Sequence, residues 1–345
     1  ARELTLAEIR RIAEMSGIEV EVFAHGALCY SYSGLCLYSS HMRGRSGNRG
    51  RCAYPCRDRF TVADEAWHPV GQSRFSFSMK DMAMTDHIGD LRRAGVAAFK
   101  IEGRKKSPLY VAAATTLYRG LIDNTLDELQ RGELEADLRS VFSRPWTSLF
   151  MTSRKARAVT DPDMVGHRGA RIGAAGEVAS TSGGDRLRFM TERRIERHDG
   201  MQIDLPDAGR PYGFAVDELW LVDPGRAAAP VARVYEAPAG ATVEVRLPPD
   251  HPRIPAGSAV YCSSSQEVKQ KYDIRRPRAD DARVRLPVSF TIELEPRICR
   301  IAASAEGVWP GAEPVAVTRV FEGEFAPASN PAMRLEETCR EAFGK

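Results

Sequence analysis

A chain of 345 residues, 43% apolar and 28% charged, is long enough for two or three domains with substantial cores. It holds no apolar run near the roughly 20 residues of a membrane-spanning helix and opens on no signal-peptide pattern, so it reads as soluble. A net charge of +3 does not by itself mark a nucleic-acid binder, which leaves the decision to where the charges lie.

The chain begins with Ala1 in residues that are already helix-like, an opening expected of the later part of a longer protein. Thr5 and Glu8 form a capping box, Leu6, Ile9, Ile12 and Ala13 an apolar stripe, and Gly17 a helix stop. Ile18 to Phe23 alternates as a strand. The stretch from Glu21 to Arg57 then carries Cys29, Cys36, Cys52 and Cys56 in the pattern C-x6-C-x15-C-x3-C. Residues 60–77 look irregular. Ser78 to Asp81 reads as the cap of a second helix running to Ala94, and Val96 to Ile101 as a second strand. Ser107-Pro108 opens a third helix, and a fourth covers Leu126 to Val141. Helix, strand, loop, helix, strand, helix predicts a parallel α/β sheet, with chemistry at the strand C-termini. Two or three such units are too few for an eight-stranded barrel. Either the sheet is small and open, or half a barrel lies upstream.

Beyond Arg144-Pro145 the composition shifts to Gly, Pro and short alternating runs. Strands are expected at 173–179, 186–190, 201–205, 218–222, 231–235, 242–246 and 259–261, which together predict a small antiparallel barrel over residues 165–265. Ser263 to Asp273 reads as a short helix and Arg275 to Asp281 as a linker. Strands at 284–294, 299–303 and 314–319, with a helix over Pro331 to Phe343, predict an α+β piece over residues 282–345 that is itself cut short.

Four cysteines within 28 residues, with no secretory signal, favour metal or redox use over a disulfide framework. Thiolates suit zinc or an iron–sulfur cluster. Only Cys52 and Cys56 are spaced like a zinc knuckle, and the longer gaps fit a cluster held by an extended loop. Cys262, Cys299 and Cys339 read as ordinary thiols. Glu21, His25 and Cys29 are spaced by four. Either Glu21 and His25 act as acid and base beside a metal, or His25 orients the loop. Lys100, Glu102 and Arg104 end the second strand, where they either hold an anion or form an internal ion network. Arg43, Arg45, Arg49 and Arg51 make the cysteine loop basic and suit phosphate, or else form a solvated face. No H-E-x-x-H, G-x-S-x-G, P-loop or helix-opening G-x-G-x-x-G occurs.

The block Glu21-x-Phe23-x-x-Gly26-Ala27-Leu28-Cys29-x4-Gly34-x-Cys36-x-x-Ser39 resembles the signature of the U32 collagenase-like peptidase family. Asn48-x-Gly50-x-Cys52-x3-Cys56-Arg57, Ser78-x-Lys80-Asp81 and Lys100-Ile101-Glu102-Gly103-Arg104 match its next blocks in order, over roughly residues 3–125. Asp199-Gly200-Met201 and the general layout resemble the larger members, of the 23S ribosomal RNA 5-hydroxycytidine synthase type. The resemblance implies that residues 1–145 are the later part of a TIM-barrel-like domain, completed by an upstream half-barrel or a partner chain. It implies a [4Fe-4S] cluster on Cys29, Cys36, Cys52 and Cys56, prephenate as hydroxyl donor, and a cytoplasmic, oxygen-independent hydroxylase of a pyrimidine in RNA, ribosomal RNA before tRNA. Two rival readings are a collagenase-like protease and a truncated, non-catalytic RNA-binding module.

Overall fold

The computed structural model describes residues 3–103, 106–205, 210–223, 230–272, 287–306 and 313–324. The chain divides into two units, Ala1–Ile274 and Arg275–Lys345.

The first unit opens with α1 (Leu6–Ser16). Thr5 and Glu8 close its capping box and Gly17 ends it in the left-handed region, as the sequence indicates. The elements that follow are β1 (Val20–Ala27), α2 (Tyr38–Arg43), two 3-10 turns at Gly47–Arg49 and Pro55–Arg57, β2 (Asp81–Ala83), α3 (Ile88–Arg93), β3 (Val96–Ile101), α4 (Pro108–Asp123), α5 (Glu128–Val141) and β4 (Trp146–Thr147). The sheet runs β3-β1-β2-β4. β1 is parallel to β3 and β2 to β4, but β1 and β2 are antiparallel, so the sheet is mixed and not wholly parallel. Ile9, Val22, Ala24, Met82, Met84, Leu91, Leu117, Tyr118 and Leu138 fill the core between this sheet and its helices.

The helix expected from Ser78 is instead β2, and α3 starts only at Ile88. The physical reason is position. β2 lies inside the sheet between β1 and β4, and Asp81 to Thr85 are all buried. A strand covered on both faces shows no alternation to distinguish it from a buried helix.

The rest of the unit is β-rich. It comprises β5 (Ala170–Ala174), β6 (Val178–Thr181), β7 (Gly184–Met190), β8 (Ile195–Glu196), β9 (Gly200–Ile203), β10 (Tyr212–Ala215), β11 (Leu219–Val222), β12 (Pro230–Val234), β13 (Glu236–Ala237), β14 (Thr242–Arg246), β15 (Ala259–Ser264) and a closing α6 (Gln266–Lys271). The strands pair antiparallel into two open sheets, β10-β9-β15-β5 and β12-β11-β14-β7-β6, with a β13-β8 ribbon. Ile172, Ile203 and Val260 of the first sheet share one core with Leu187, Phe189, Val243 and Val245 of the second. Two open sheets facing one core replace the closed barrel expected from the strand pattern, and no barrel closes among the described residues. Alternating strands with one buried face serve either architecture, because closure depends on edge pairing that the pattern does not encode.

In the second unit β16 (Val288–Glu295), β17 (Ile298–Ala305) and β18 (Val315–Glu322) form an antiparallel meander. The expected linker at 275–281 and the helix at 331–343 lie outside the described residues.

Two glycines separate backbone need from mere tolerance. Gly26, at the end of β1, has φ +122°, and a Cβ there would stand 2.5 Å from the Glu102 carbonyl oxygen. Gly132, inside α5, has open space around it. Gly26→Ala should lower unfolding stability by at least about 2 kcal/mol, whereas Gly132→Ala should raise it by about 0.5–1 kcal/mol. Denaturant melts of both variants check the contrast, and equal stabilities would refute it.

Candidate active site at the end of the first strand

β1 ends against β2 on one side and the loop after β3 on the other. His25 and Gly26 oppose Ala83 and Met82, and the Glu102 N–H donates to the His25 carbonyl at 2.8 Å. The His25 ring is therefore carried into the core, at 2% exposure. The rings of Trp146, Tyr118 and Tyr110 surround it, at centroid distances of 5.2, 5.5 and 6.2 Å. Its Nδ1 lies 3.1 Å from the Tyr118 hydroxyl. That hydroxyl donates to the Ala24 carbonyl at 2.9 Å and accepts from the Met84 N–H at 3.2 Å. With its one proton committed to Ala24, Tyr118 offers Nδ1 only a lone pair. The neutral ring thus carries its proton on Nδ1 and keeps a lone pair on Nε2. Burial holds His25 down to about 4, against which the nearby charge of Asp81 acts.

Asp81, the first residue of β2, is the buried carboxylate of this region. It pairs with Arg144 at 2.9 Å and also accepts from the Arg144 backbone N–H at 3.3 Å. Lys106 follows the β3 loop, and its ammonium stands over the Tyr110 ring. Burial brings Lys106 down to about 8, with Asp81 and Glu102 acting against the fall and Arg144 and Arg57 adding to it. Burial likewise pushes the Tyr110 phenol up.

The cysteine loop runs beyond the same strand end. The Asn48 side chain donates to the Gly34 carbonyl at 2.8 Å, and the Ala53 N–H to the buried Ser39 hydroxyl at 2.7 Å. The Tyr54 N–H donates to Cys52 Sγ at 3.4 Å. Cys29 is exposed, and Cys36, Cys52 and Cys56 are half-buried and unbridged. Burial pushes the Cys56 thiol up; Arg57 pulls it down, and Cys29, Cys52 and Cys36 each push it further up. The other three thiols therefore lie within electrostatic reach of Cys56. Among the described residues no three His, Cys, Asp or Glu side chains gather tightly enough to hold a single metal ion. Arg43, Arg45, Arg49 and Arg51 are exposed along the loop, Tyr30, Tyr32 and Tyr54 are exposed on the same stretch of chain, and Trp67 is exposed in the segment that follows.

The other expected site residues fall elsewhere. Glu21 pairs with Lys100 at 3.2 Å, both more than half exposed, near the start of β1 rather than at its end. Lys100 thus pairs with Glu21 at the surface, not with Glu102, the partner in the ion network expected among Lys100, Glu102 and Arg104. Glu102 stays beside His25 through its backbone. Arg104 lies outside the described residues. Asp81, Lys106, Tyr118 and Arg144 were not singled out in the sequence. The signal for Asp81 was present in the Ser78-x-Lys80-Asp81 block, but the helix assignment made it a cap. A separate cleft of about 640 Å³, lined by Arg59, Arg74, Asp163, Arg168, Asp204 and Arg210 among others, includes none of the thiols and not His25.

A mixed α/β sheet with a buried histidine at one strand end and a four-cysteine loop beyond it defines an α/β protein with a thiol-rich rim. Residues 1–161 match the profile of Peptidase family U32. It is 35% identical over 217 residues to the 23S rRNA 5-hydroxycytidine C2501 synthase of Escherichia coli, covering 59% of this chain and 32% of the relative. It is 39% identical over 129 residues to tRNA hydroxylation protein P1 of Bacillus subtilis, covering 36% and 31%. It is 37% identical over 142 residues to a collagenase of Porphyromonas gingivalis, covering 40% and 39%. The chain thus spans between three and four tenths of the length of these relatives.

The folded pKa of His25, about 4, lies below its ordinary 6.5, so the unfolded chain takes up this proton first as pH falls. The stability that neutral His25 contributes is complete above 6.5 and is lost between 6.5 and 4, by roughly 3 kcal/mol. In histidine-labelled protein, NMR should find this ring neutral, protonated on Nδ1, and titrating near 4. A midpoint at 6.5 would reject the assignment.

Proposed function

We propose that this chain carries the cluster-bearing rim of an oxygen-independent hydroxylase acting on a pyrimidine in RNA. The observation that carries the proposal is the gathering of Cys29, Cys36 and Cys52 within electrostatic reach of half-buried Cys56, beyond the strand end that holds neutral His25. The donor set suits a [4Fe-4S] cluster better than one ion. Each thiolate of a cluster binds a different iron, so the sulfurs sit farther apart than around a single metal. Cys29, Cys36, Cys52 and Cys56 would hold it, and when bound it supplies one-electron redox chemistry at the rim.

The chain's own residues supply the rest. His25, locked as the Nδ1–H tautomer, presents Nε2 as a proton acceptor in a site kept dry by Tyr110, Tyr118 and Trp146. Lys106, at about 8, is a half-buried cation near Arg144 and suits a carboxylate-bearing donor such as prephenate. Arg43, Arg45, Arg49 and Arg51 suit phosphates, and the exposed Tyr30, Tyr32, Tyr54 and Trp67 suit stacking on unpaired bases. The names of the ribosomal and transfer RNA relatives support an RNA substrate in the cytoplasm. The ribosomal relative aligns over more of this chain, which favours ribosomal RNA. An upstream half-barrel or a partner chain completes the TIM-type domain in this reading, and the β-rich segment grips folded RNA. The protease reading draws on the collagenase relative, yet among the described residues no serine, threonine or cysteine is hydrogen-bonded to His25.

Protein purified without oxygen should contain about four iron and four sulfide per chain, and Cys29→Ala should lose both. A colourless, zinc-loaded protein would reject the cluster. Cells lacking the gene should lose one hydroxylated pyrimidine from their RNA digests, and an unchanged nucleoside profile would reject the substrate. Replacing Arg43, Arg45, Arg49 and Arg51 together by Gln should flatten the salt dependence of binding to single-stranded RNA by roughly 3 in log–log slope, if each contacts one phosphate. An unaltered slope would remove the loop from the interface.

A further inference from the structure

Arg57 is a buried cation with no carboxylate partner. Its side chain is 9% exposed. Its guanidinium donates to the Ser78 hydroxyl at 2.9 Å, the Met79 carbonyl at 2.8 Å and the Leu28 carbonyl at 3.2 Å, all neutral acceptors. Among the described residues no carboxylate lies within ion-pair distance of it. Other shielded arginines each rest on an acid: Arg144 on Asp81 at 2.9 Å, Arg193 on Asp137 at 2.7 Å, Arg188 on Glu244 at 2.6 Å. A buried charge left without an opposite charge costs several kcal/mol, so Arg57 needs an anion that the carboxylates do not provide.

The charge of Asp81, already paired with Arg144, acts on it without touching it, and the Cys56 thiol acts on it too. Cys56 precedes it in the chain, and the Leu28 carbonyl it holds is the one before Cys29. We propose that Arg57 is the resident counter-cation of a four-thiolate centre formed by Cys29, Cys36, Cys52 and Cys56, and that its hydrogen bonds fix the Cys29 and Cys56 ends of the loop against the entry to β2. The proposal rests on the cluster reading above. Arg57 is a positioning residue that acts on the centre through charge and through the backbone. A positive charge buried beside the cluster stabilises its more negative, reduced form and so raises its potential.

The test uses the full chain purified without oxygen, as wild type, Arg57→Gln and Arg57→Lys. Gln keeps donors without charge, and Lys keeps charge without the fork of donors. Iron and sulfide per chain, resistance of iron to a chelator, and midpoint potential are measured on each. Arg57→Gln should hold iron roughly 10- to 100-fold more weakly, and the cluster it retains should have a more negative potential. Arg57→Lys should keep the potential close to wild type. Should Arg57→Gln fail to fold while Arg57→Lys folds, charge is again the determinant and the proposal stands. Iron held equally by all three at one potential would overturn the proposal and leave the cluster reading intact. Failure of both variants to fold, with or without iron, would make Arg57 a residue of the fold and overturn it too. A wild-type chain without iron would remove the cluster reading and this inference together.

Discussion

The ion pair between Asp81 and Arg144 is the contact on which the candidate site depends. Both side chains are largely withdrawn from solvent, where losing one partner would strand the other at a cost of about 3–5 kcal/mol. Asp81 begins β2 and Arg144 precedes β4, so the pair ties the two parallel strands at the point where they enter the sheet. Arg144 also donates to the Val165 carbonyl at 2.7 Å, which extends the tie to the segment leading into the β-rich half. The negative charge of Asp81 acts on His25, Arg57, Lys106 and Tyr110. One buried carboxylate thus both ties two strands together and acts on the site's titrating groups, whose shifts come first from burial.

Desolvation explains why these groups divide their tasks. His25 sits deepest and is kept neutral, Lys106 is half-buried and falls to about 8, and the phenols of Tyr110 and Tyr118 are pushed up. The result is one group able to accept a proton, one cation whose charge is poised near neutral pH, and two phenols that keep theirs. Environments that push titrating groups apart in this way are what acid–base chemistry requires. They also occur in inert buried networks, and the open thiol-rich loop beside His25 is what distinguishes this one.

Local signals in the sequence were legible where one residue sufficed. The Thr5–Glu8 box, the Gly17 stop, the Ser107-Pro108 opening and the cysteine loop at a strand end all stand where spacing put them. What failed depended on more than one segment. β2 was read as helix because its burial comes from β1 and β4, which are distant in sequence. The barrel was read in place of two sheets because alternation fixes which residues are buried, not which edges meet. Glu21 and Lys100 pair with each other at the surface across β1 and β3, with Glu21 near the start of β1 and Lys100 near the end of β3. Asp81, Lys106 and Arg144 converge only after the sheet forms, from positions up to 63 residues apart.

The cysteine loop is long and irregular, yet it has a defined place against the sheet. It has no strand of its own, and one six-residue helix, two 3-10 turns and local backbone bonds such as those of the Arg45 and Arg51 N–H groups to the Ser39 and Ser46 carbonyls shape it. Side chains that reach backbone add to these: Asn48 to Gly34, Ser39 to Ala53, and Arg57 to Leu28 and Met79. The first two bonds act within the loop, while Arg57 joins it to the sheet. The Arg57 bonds are made by a buried cation with no carboxylate in ion-pair contact among the described residues. A centre that draws the thiols into their anionic form would tighten the attachment that holds it against β2.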